Sequence, residues 1–86
     1  MENHLMTKIE KLVEQLLSRP TFLRFSDIEK VLLHFGFIRI ESKGSHKKFK
    51  NSHLIHDLVI PVHNNDCKDF YKKLTAQTVK KSFRNN

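Results

Sequence analysis

Two segments near the start of the chain place apolar residues at helical spacing. Between residues 4 and 18, and again between residues 26 and 36, apolar positions recur every three or four residues. This period predicts two amphipathic helices, each with one apolar face. The apolar stripes consist of Ile9, Leu12, Val13, Leu16 and Leu17 in the first helix and Ile28, Val31, Leu32 and Phe35 in the second.

The ends of these helices also carry recognisable signals. Thr7 with Glu10, and Ser26 with Glu29, have the spacing of capping boxes, in which two side chains satisfy free N–H groups of the first turn. Gly36 is a typical residue for ending a helix. We therefore expect the second helix to begin at Ser26 and to end at Gly36.

Between residues 37 and 63 the pattern changes to an alternation of apolar and polar residues, which is typical of strands. In the first strand we expect Ile38 and Ile40 to face the core. The short connections favour an antiparallel meander, and Pro61 requires an edge strand or an unpaired N–H position. The predicted strands are 37–41, 45–50 and 57–63.

A last helix is predicted from Asn65 or Asp66 to about Phe83, with Phe70, Leu74 and Val79 as its apolar contacts. The element order α–α–β–β–β–α predicts an α+β fold with helices packed on one face of a three-stranded antiparallel sheet. Its α-β-β-β-α portion has the element order of a double-stranded-RNA-binding domain. We expect one domain over 1–86, with an extra N-terminal helix (about 4–18) and a core (about 22–83).

The charge of the chain narrows the choice of partners. Sixteen Lys and Arg residues face nine Asp and Glu, which gives a net charge of +7. Such an excess favours a polyanion or a strongly acidic protein as partner. The single cysteine, Cys67, excludes an intramolecular disulfide, and no apolar run is long enough for a membrane span. The first residues do not resemble a signal peptide, so we expect a cytoplasmic protein with no membrane partner.

The candidate chemistry lies in the second predicted strand. Alternation puts Ser45, Lys47 and Phe49 on one face and His46, Lys48 and Lys50 on the other. If Phe49 packs under the helices, His46 lies on the open face beside cationic side chains. A histidine transfers protons near neutral pH, and lysines bind phosphates. A surface histidine after a Gly-Ser turn remains the alternative interpretation.

This combination suits RNA cleavage in which the ribose 2′-OH is the internal nucleophile. A base takes the proton of the hydroxyl, an acid protonates the leaving 5′-oxygen, and cations stabilise the phosphorane. His46 is the candidate proton-transfer residue, with no metal or other cofactor required. Lys43, Lys47 or Lys48 would stabilise phosphate charge. His63, in the third strand, is a possible second proton-transfer residue.

Five motifs follow one another along the chain: Leu17-x-x-Pro20, Phe25-Ser26-Asp27-Ile28-Glu29, Phe35-Gly36-Phe37, Gly44-Ser45-His46-Lys47-Lys48-Phe49 and Ile60-Pro61-Val62-His63. In this order they resemble the HicA family of toxin ribonucleases. The resemblance spans about residues 16–80, and the spacing from Gly-Phe to Gly-Ser-His to Pro-Val-His is its most specific part. After His63 the chain departs from the family's common glycine-containing form, because Asn64-Asn65 follows.

The resemblance implies a double-stranded-RNA-binding-type fold and an mRNA interferase, that is, an endoribonuclease acting on mRNA. It implies that His46 is the catalytic residue. From the residues themselves, the candidate RNA-binding residues are Lys43, Gly44, Ser45, Lys47 and Lys48. The implied partner is a HicB-like antitoxin that covers the site, with operator DNA contacted only through the antitoxin complex.

Two other function classes fit the same sequence. One is a non-catalytic RNA-binding module that keeps the fold and the charge without turnover. The other is a small interaction protein whose exposed strand pairs with a partner. RNA binding that persists without His46, together with no cleavage by the unmutated chain, would select the RNA-binding module.

Overall fold

Helices and strands follow the predicted order. The computed structural model describes residues 5–83, with side chains up to residue 82. The first helix begins at Lys8 after its N-cap Thr7, so the predicted helix over residues 5–7 is wrong, and residue 4 lies outside the described residues. The α+β fold is confirmed as an open three-stranded antiparallel sheet with three helices. The elements are α1 (Lys8–Ser18), a short 3-10 turn (Pro20–Phe22), α2 (Phe25–His34), β1 (Ile38–Ile40), β2 (His46–Lys50), β3 (Leu58–Pro61) and α3 (Asp69–Phe83).

The start of α1 confirms the first predicted capping box. The Thr7 hydroxyl accepts a hydrogen bond from the Glu10 N–H at 3.2 Å, and the Glu10 carboxylate accepts one from the Thr7 N–H at 2.9 Å. Both groups would otherwise lack partners at the helix end. The apolar stripe of α1 faces the core, where Leu16 is fully buried.

The predicted capping box of α2 is wrong. The helix begins one residue earlier, at Phe25, and Arg24 at its N-cap makes no side-chain capping bond. The carbonyl of Asn65 accepts the Phe25 N–H at 3.1 Å, and the Asn65 side-chain oxygen accepts the Ser26 N–H at 2.9 Å. Glu29 is committed elsewhere, to an ion pair with Arg39. A residue distant in sequence therefore caps α2.

The other end of α2 is as predicted. Gly36 has φ +87°, a conformation that L side chains rarely adopt. The Gly36 N–H donates to the Leu33 carbonyl, and the Phe37 N–H donates to the Leu32 carbonyl, each at 3.0 Å. These two bonds form a Schellman motif, and the buried side chains of Phe37 and Leu32 contribute its apolar contact.

The sheet has the order β1-β2-β3, so β2 is the central strand. Phe49 pairs with Arg39 on one side and with Leu58 on the other, and Lys47 pairs with Ile60. Phe49 and Ile60 are completely buried against the helices. The core contains Leu16, Leu23, Phe25, Ile28, Val31, Leu32, Phe37, Phe49, Leu58, Ile60, Ala76 and Val79.

The predicted orientation of β1 is wrong. Ile38 pairs with Lys50 and Ile40 with Lys48, both on the face away from the helices, and Ile38 is 63% exposed. Arg39 instead lies on the helix side, where its guanidinium bonds the Glu29 carboxylate at 2.6 Å. An ion pair between β1 and α2 thus occupies the place expected for an isoleucine.

The last helix begins at Asp69, later than predicted. Of its predicted apolar contacts, Val79 is confirmed as a core residue and Leu74 packs against the core. Phe70 is 66% exposed, which contradicts its expected core contact. The buried positions are Lys72, Thr75, Ala76 and Val79, spaced by three, four and seven residues along one helix face. Polar residue types at the first two positions hid this stripe from the sequence pattern.

Candidate active site

The open face of the sheet presents the candidate histidine with two lysines. His46, Lys48 and Lys50 alternate along β2, and all three are exposed. Phe49 points the other way into the core, so the predicted division of faces is confirmed. Because alternate residues of a strand lie about 6.5–7 Å apart along its axis, the side chains form a row of one imidazole and two amines.

The turn that precedes His46 is open to ligands. Gly44 has φ +72°, and a Cβ at this position would meet no atom within 4 Å. The glycine is therefore required by the backbone conformation, since no packed neighbour approaches it. Lys43 is exposed beside it. The carbonyl of Ser45 accepts the Val62 N–H at 2.8 Å, which extends the ladder between β2 and the end of β3.

Pro61 lies directly opposite His46 in β3, which is an edge strand as Pro61 requires. Since Ser45 and Val62 form a hydrogen-bonded pair, the neighbouring pair of His46 and Pro61 is a non-hydrogen-bonded one. At such a pair the missing N–H of proline leaves no gap in the ladder. Opposite residues there have Cα atoms only about 4.5 Å apart, so their side chains are close neighbours.

Lys47 does not share the open face with His46. It pairs with Ile60 on the helix side of the sheet and is half-buried. Lys50 shares the open face with Lys48, as the alternation of β2 predicted.

His63 lies just beyond β3, in a tight turn. Its N–H and carbonyl exchange hydrogen bonds with the carbonyl and N–H of Asp66, both at 2.9 Å. Asn64 and Asn65, between them, have φ +51° and +57°, the pattern of a type I′ turn. Asparagine tolerates this left-handed conformation. The Asn-Asn pair therefore fulfils the conformational requirement that a glycine would otherwise meet.

An ion pair between the buried Lys72 and the partly exposed Asp66 fixes this turn to α3. Lys72 is only 5% exposed, and its amine contacts the Asp66 carboxylate at 2.9 Å and the Thr21 carbonyl at 3.3 Å. The hydrogen bond from Lys72, followed by the one from the Cys67 N–H, holds the pKa of Asp66 below its usual value of 3.8. Sequence reasoning missed Lys72, because a lysine is rarely buried unless it is paired.

A shallow depression lies between the end of β3 and the start of α3. Its volume is about 500 Å³, and it is lined by Pro61, His63, Asp66, Cys67, Lys68 and Tyr71. Partial burial raises the pKa of the Cys67 thiol above its usual value, so this side chain is uncharged at neutral pH. Within the described residues, no group of three or more His, Cys, Asp or Glu side chains is arranged to hold a metal ion.

The fold and the family comparison together identify the chain. An open antiparallel sheet with helices on one face, built in this order, is a double-stranded-RNA-binding-type fold. A family model described as the HicA toxin of bacterial toxin–antitoxin systems matches residues 25–74, more than half of the chain. The chain therefore belongs to the HicA toxin family and has the role of a toxin, with an antitoxin as its partner.

The match begins with α2, includes the whole sheet and ends within α3, so α1 lies before the matched segment. Comparison with curated proteins and with solved structures gave no significant match. Among the helices of residues 5–83, none is both long and apolar enough to cross a membrane.

Proposed function

We propose that the protein is a metal-independent endoribonuclease that cleaves mRNA in the cytoplasm, and that residues 1–86 act as one domain. The observation that carries this proposal is the exposed His46 beside Lys48 on the open sheet face of a HicA family member. The net charge of +7 supports a polyanionic substrate.

In the proposed reaction, His46 takes the proton of a ribose 2′-OH. The 2′-oxygen forms a bond to phosphorus while the bond from phosphorus to the 5′-oxygen breaks, and an acid supplies a proton to that 5′-oxygen. The products are a 2′,3′-cyclic phosphate and a free 5′-OH. Lys48 and Lys50 stabilise the negative charge that develops on the phosphorane oxygens.

The remaining site residues have supporting roles. Lys43, Gly44 and Ser45 lie in the turn before His46, where a phosphate can approach the backbone closely. Lys47, on the other face of this central strand, adds positive charge near the RNA without sharing the open face with His46. These contacts with phosphates predict RNA binding that weakens steeply as salt is added.

His63 is the proposed second proton-transfer residue. Because alternate residues of an extended chain point to the same side, we expect the side chain of His63 on the same side as Pro61, the residue opposite His46. The hydrogen bonds of its backbone to Asp66 hold the turn in place and leave the exposed side chain available. A His63→Ala variant should then retain the fold and lose part of the cleavage rate.

The antitoxin is proposed to be a HicB-like protein that covers the open face around His46. A partner that reaches His46 must also meet Lys48 and Lys50, so an acidic contact surface is expected. Contact with operator DNA is proposed to occur only through the antitoxin in the complex.

The decisive experiment incubates the protein with a long single-stranded RNA in EDTA. His46→Ala should lower the cleavage rate at least about 100-fold, because general acid–base catalysis contributes about 10²–10⁴-fold. His34→Ala is the matched control, since His34 is exposed on α2, away from the open face. Circular dichroism checks that both variants are folded.

Full activity of His46→Ala would refute the assignment of this residue. Absence of cleavage by the unmutated chain, with RNA still bound in a native gel, would instead favour a non-catalytic RNA-binding module.

A further inference from the structure

The depression beside β3 has no role in the reaction proposed above, apart from the side chain of His63 at its wall. It opens to solvent, and its volume of about 500 Å³ lies within the range of small-ligand sites, about 300–1,000 Å³. It lies where the chain passes from β3 to α3.

The depression begins immediately next to the candidate histidine. Pro61 lines it and is also the direct cross-strand neighbour of His46. The pair is a non-hydrogen-bonded one, in which opposite side chains lie closest together. A substrate group bound in the depression is therefore adjacent to a phosphate that is held at His46.

The walls combine a flat aromatic ring with apolar and neutral groups. Tyr71 is half-buried and meets Phe70 edge-to-face, with ring centroids 5.0 Å apart and planes at 89°. The uncharged thiol of Cys67 and the ring of Pro61 complete the apolar surface. Proteins that recognise single-stranded RNA stack unpaired bases on such aromatic side chains.

The charges around the depression favour a neutral base in its interior and a phosphate at its rim. Asp66 lies at the wall, and Lys72 compensates its charge at 2.9 Å. Partial burial opposes ionisation of the Cys67 thiol in the wall, so the interior favours a neutral group over an anion. Lys68, exposed at the rim, provides the cation for a phosphate.

We propose that this depression is a subsite for one unpaired nucleobase of the RNA, next to the phosphate at His46. The base stacks on Tyr71, and Lys68 contacts the adjoining phosphate. The subsite adds a base-binding site to the proposed ribonuclease. It rests on that proposed function, because it takes RNA as the ligand.

The test measures binding in a His46→Ala background, which does not depend on cleavage. A short fluorescently labelled single-stranded RNA and a duplex of the same sequence are titrated by anisotropy. Tyr71→Leu keeps an apolar side chain and removes the flat ring, whereas Tyr71→Phe keeps the ring. We expect Tyr71→Leu to weaken single-strand binding about tenfold, and Tyr71→Phe to stay within about threefold of the parent.

Duplex binding should be unchanged by Tyr71→Leu, because paired bases are not free to enter the depression. Lys68→Ala should reduce the salt dependence of single-strand binding by about 0.7 in the log–log slope, the value for one phosphate contact. Lys73→Ala is the matched control for Lys68→Ala. Lys73 is exposed on α3, but it lies two residues from Tyr71 on that helix and therefore points away from it. Lys73→Ala should leave the salt slope unchanged.

Different results would refute the subsite and the ribonuclease function. Equal single-strand affinities of Tyr71→Leu and the parent would overturn the subsite, even if the unmutated protein cleaves RNA. An equal loss for single-strand and duplex RNA would also overturn it, since no unpaired base would then be recognised. Loss confined to single strands would support the subsite even if the unmutated protein cleaves nothing.

Discussion

Replacing Asn65 by glycine is expected to destabilise the protein, although glycine suits the φ of +57° at this position better than asparagine does. The Asn65 side-chain oxygen accepts the Ser26 N–H at 2.9 Å, and its amide donates to the Ser26 hydroxyl at 3.1 Å. Asn65→Gly removes both bonds, while the bond from the Phe25 N–H to the Asn65 carbonyl remains possible. The substitution therefore isolates the capping contribution of the side chain.

Asn64→Gly provides the matched control. Asn64 is the neighbouring residue of the same turn, has a similar φ of +51°, and is exposed. Both variants gain the same relief of left-handed strain and the same increase in unfolded-chain entropy. The difference between their unfolding free energies is therefore the value of the capping bonds, about 1 kcal/mol.

The assay is thermal and urea unfolding followed by circular dichroism. A difference of about 1 kcal/mol corresponds to a melting temperature about 4–8 °C lower for Asn65→Gly than for Asn64→Gly in a chain of this size. Equal melting temperatures for the two variants would show that the Asn65 side chain does not stabilise the start of α2.

Two further predictions concern the backbone and the ion pair of Lys72 with Asp66. Gly36→Ala should lower the unfolding free energy by about 1–2 kcal/mol, because an alanine is strained at a φ of +87°. The strain is the whole cost, since the new Cβ meets no atom nearer than 3.9 Å. Urea unfolding measures the change, and an unchanged midpoint would contradict the prediction. The pKa of Asp66 is lower in the folded chain than its usual 3.8 because of Lys72, so the unfolded chain takes up this proton more readily. The ion pair of Asp66 with Lys72 therefore contributes its full stabilisation of the fold above the unfolded pKa of 3.8, and this contribution is lost as pH falls through the lower pKa of the folded chain. Unfolding free energies measured from pH 6 to pH 2 should fall less steeply for Asp66→Asn than for the unmutated protein; identical slopes would contradict the role of Lys72.

The local signals of the sequence predicted those features that depend on neighbouring residues. The capping box of Thr7 and Glu10, the end of α2 at Gly36 and the edge position of Pro61 all follow from chemistry within a few residues. The division of β2 into a buried and an open face followed from Phe49, and it correctly put His46 with Lys48.

Features that depend on distant residues were not predictable in the same way. Alternation shows that Ile38 and Ile40 share a face but not which face it is. In the structure Phe37 and Arg39 take the helix side, with Phe37 in the core and Arg39 bonded to Glu29. Similarly, Ser26 carries a plausible local capping motif, yet Asn65 provides the cap. In both cases a tertiary contact overrides a local pattern.

The contacts of Asn65 with Ser26 and of Lys72 with Thr21 join residues 39 and 51 positions apart. A chain growing on the ribosome therefore contains His46 well before the residues that complete α2 and the turn beside the site. Contacts of such long range form only after the loop between them has closed. We expect the nascent toxin to lack its finished surface around His46 until α3 has been made.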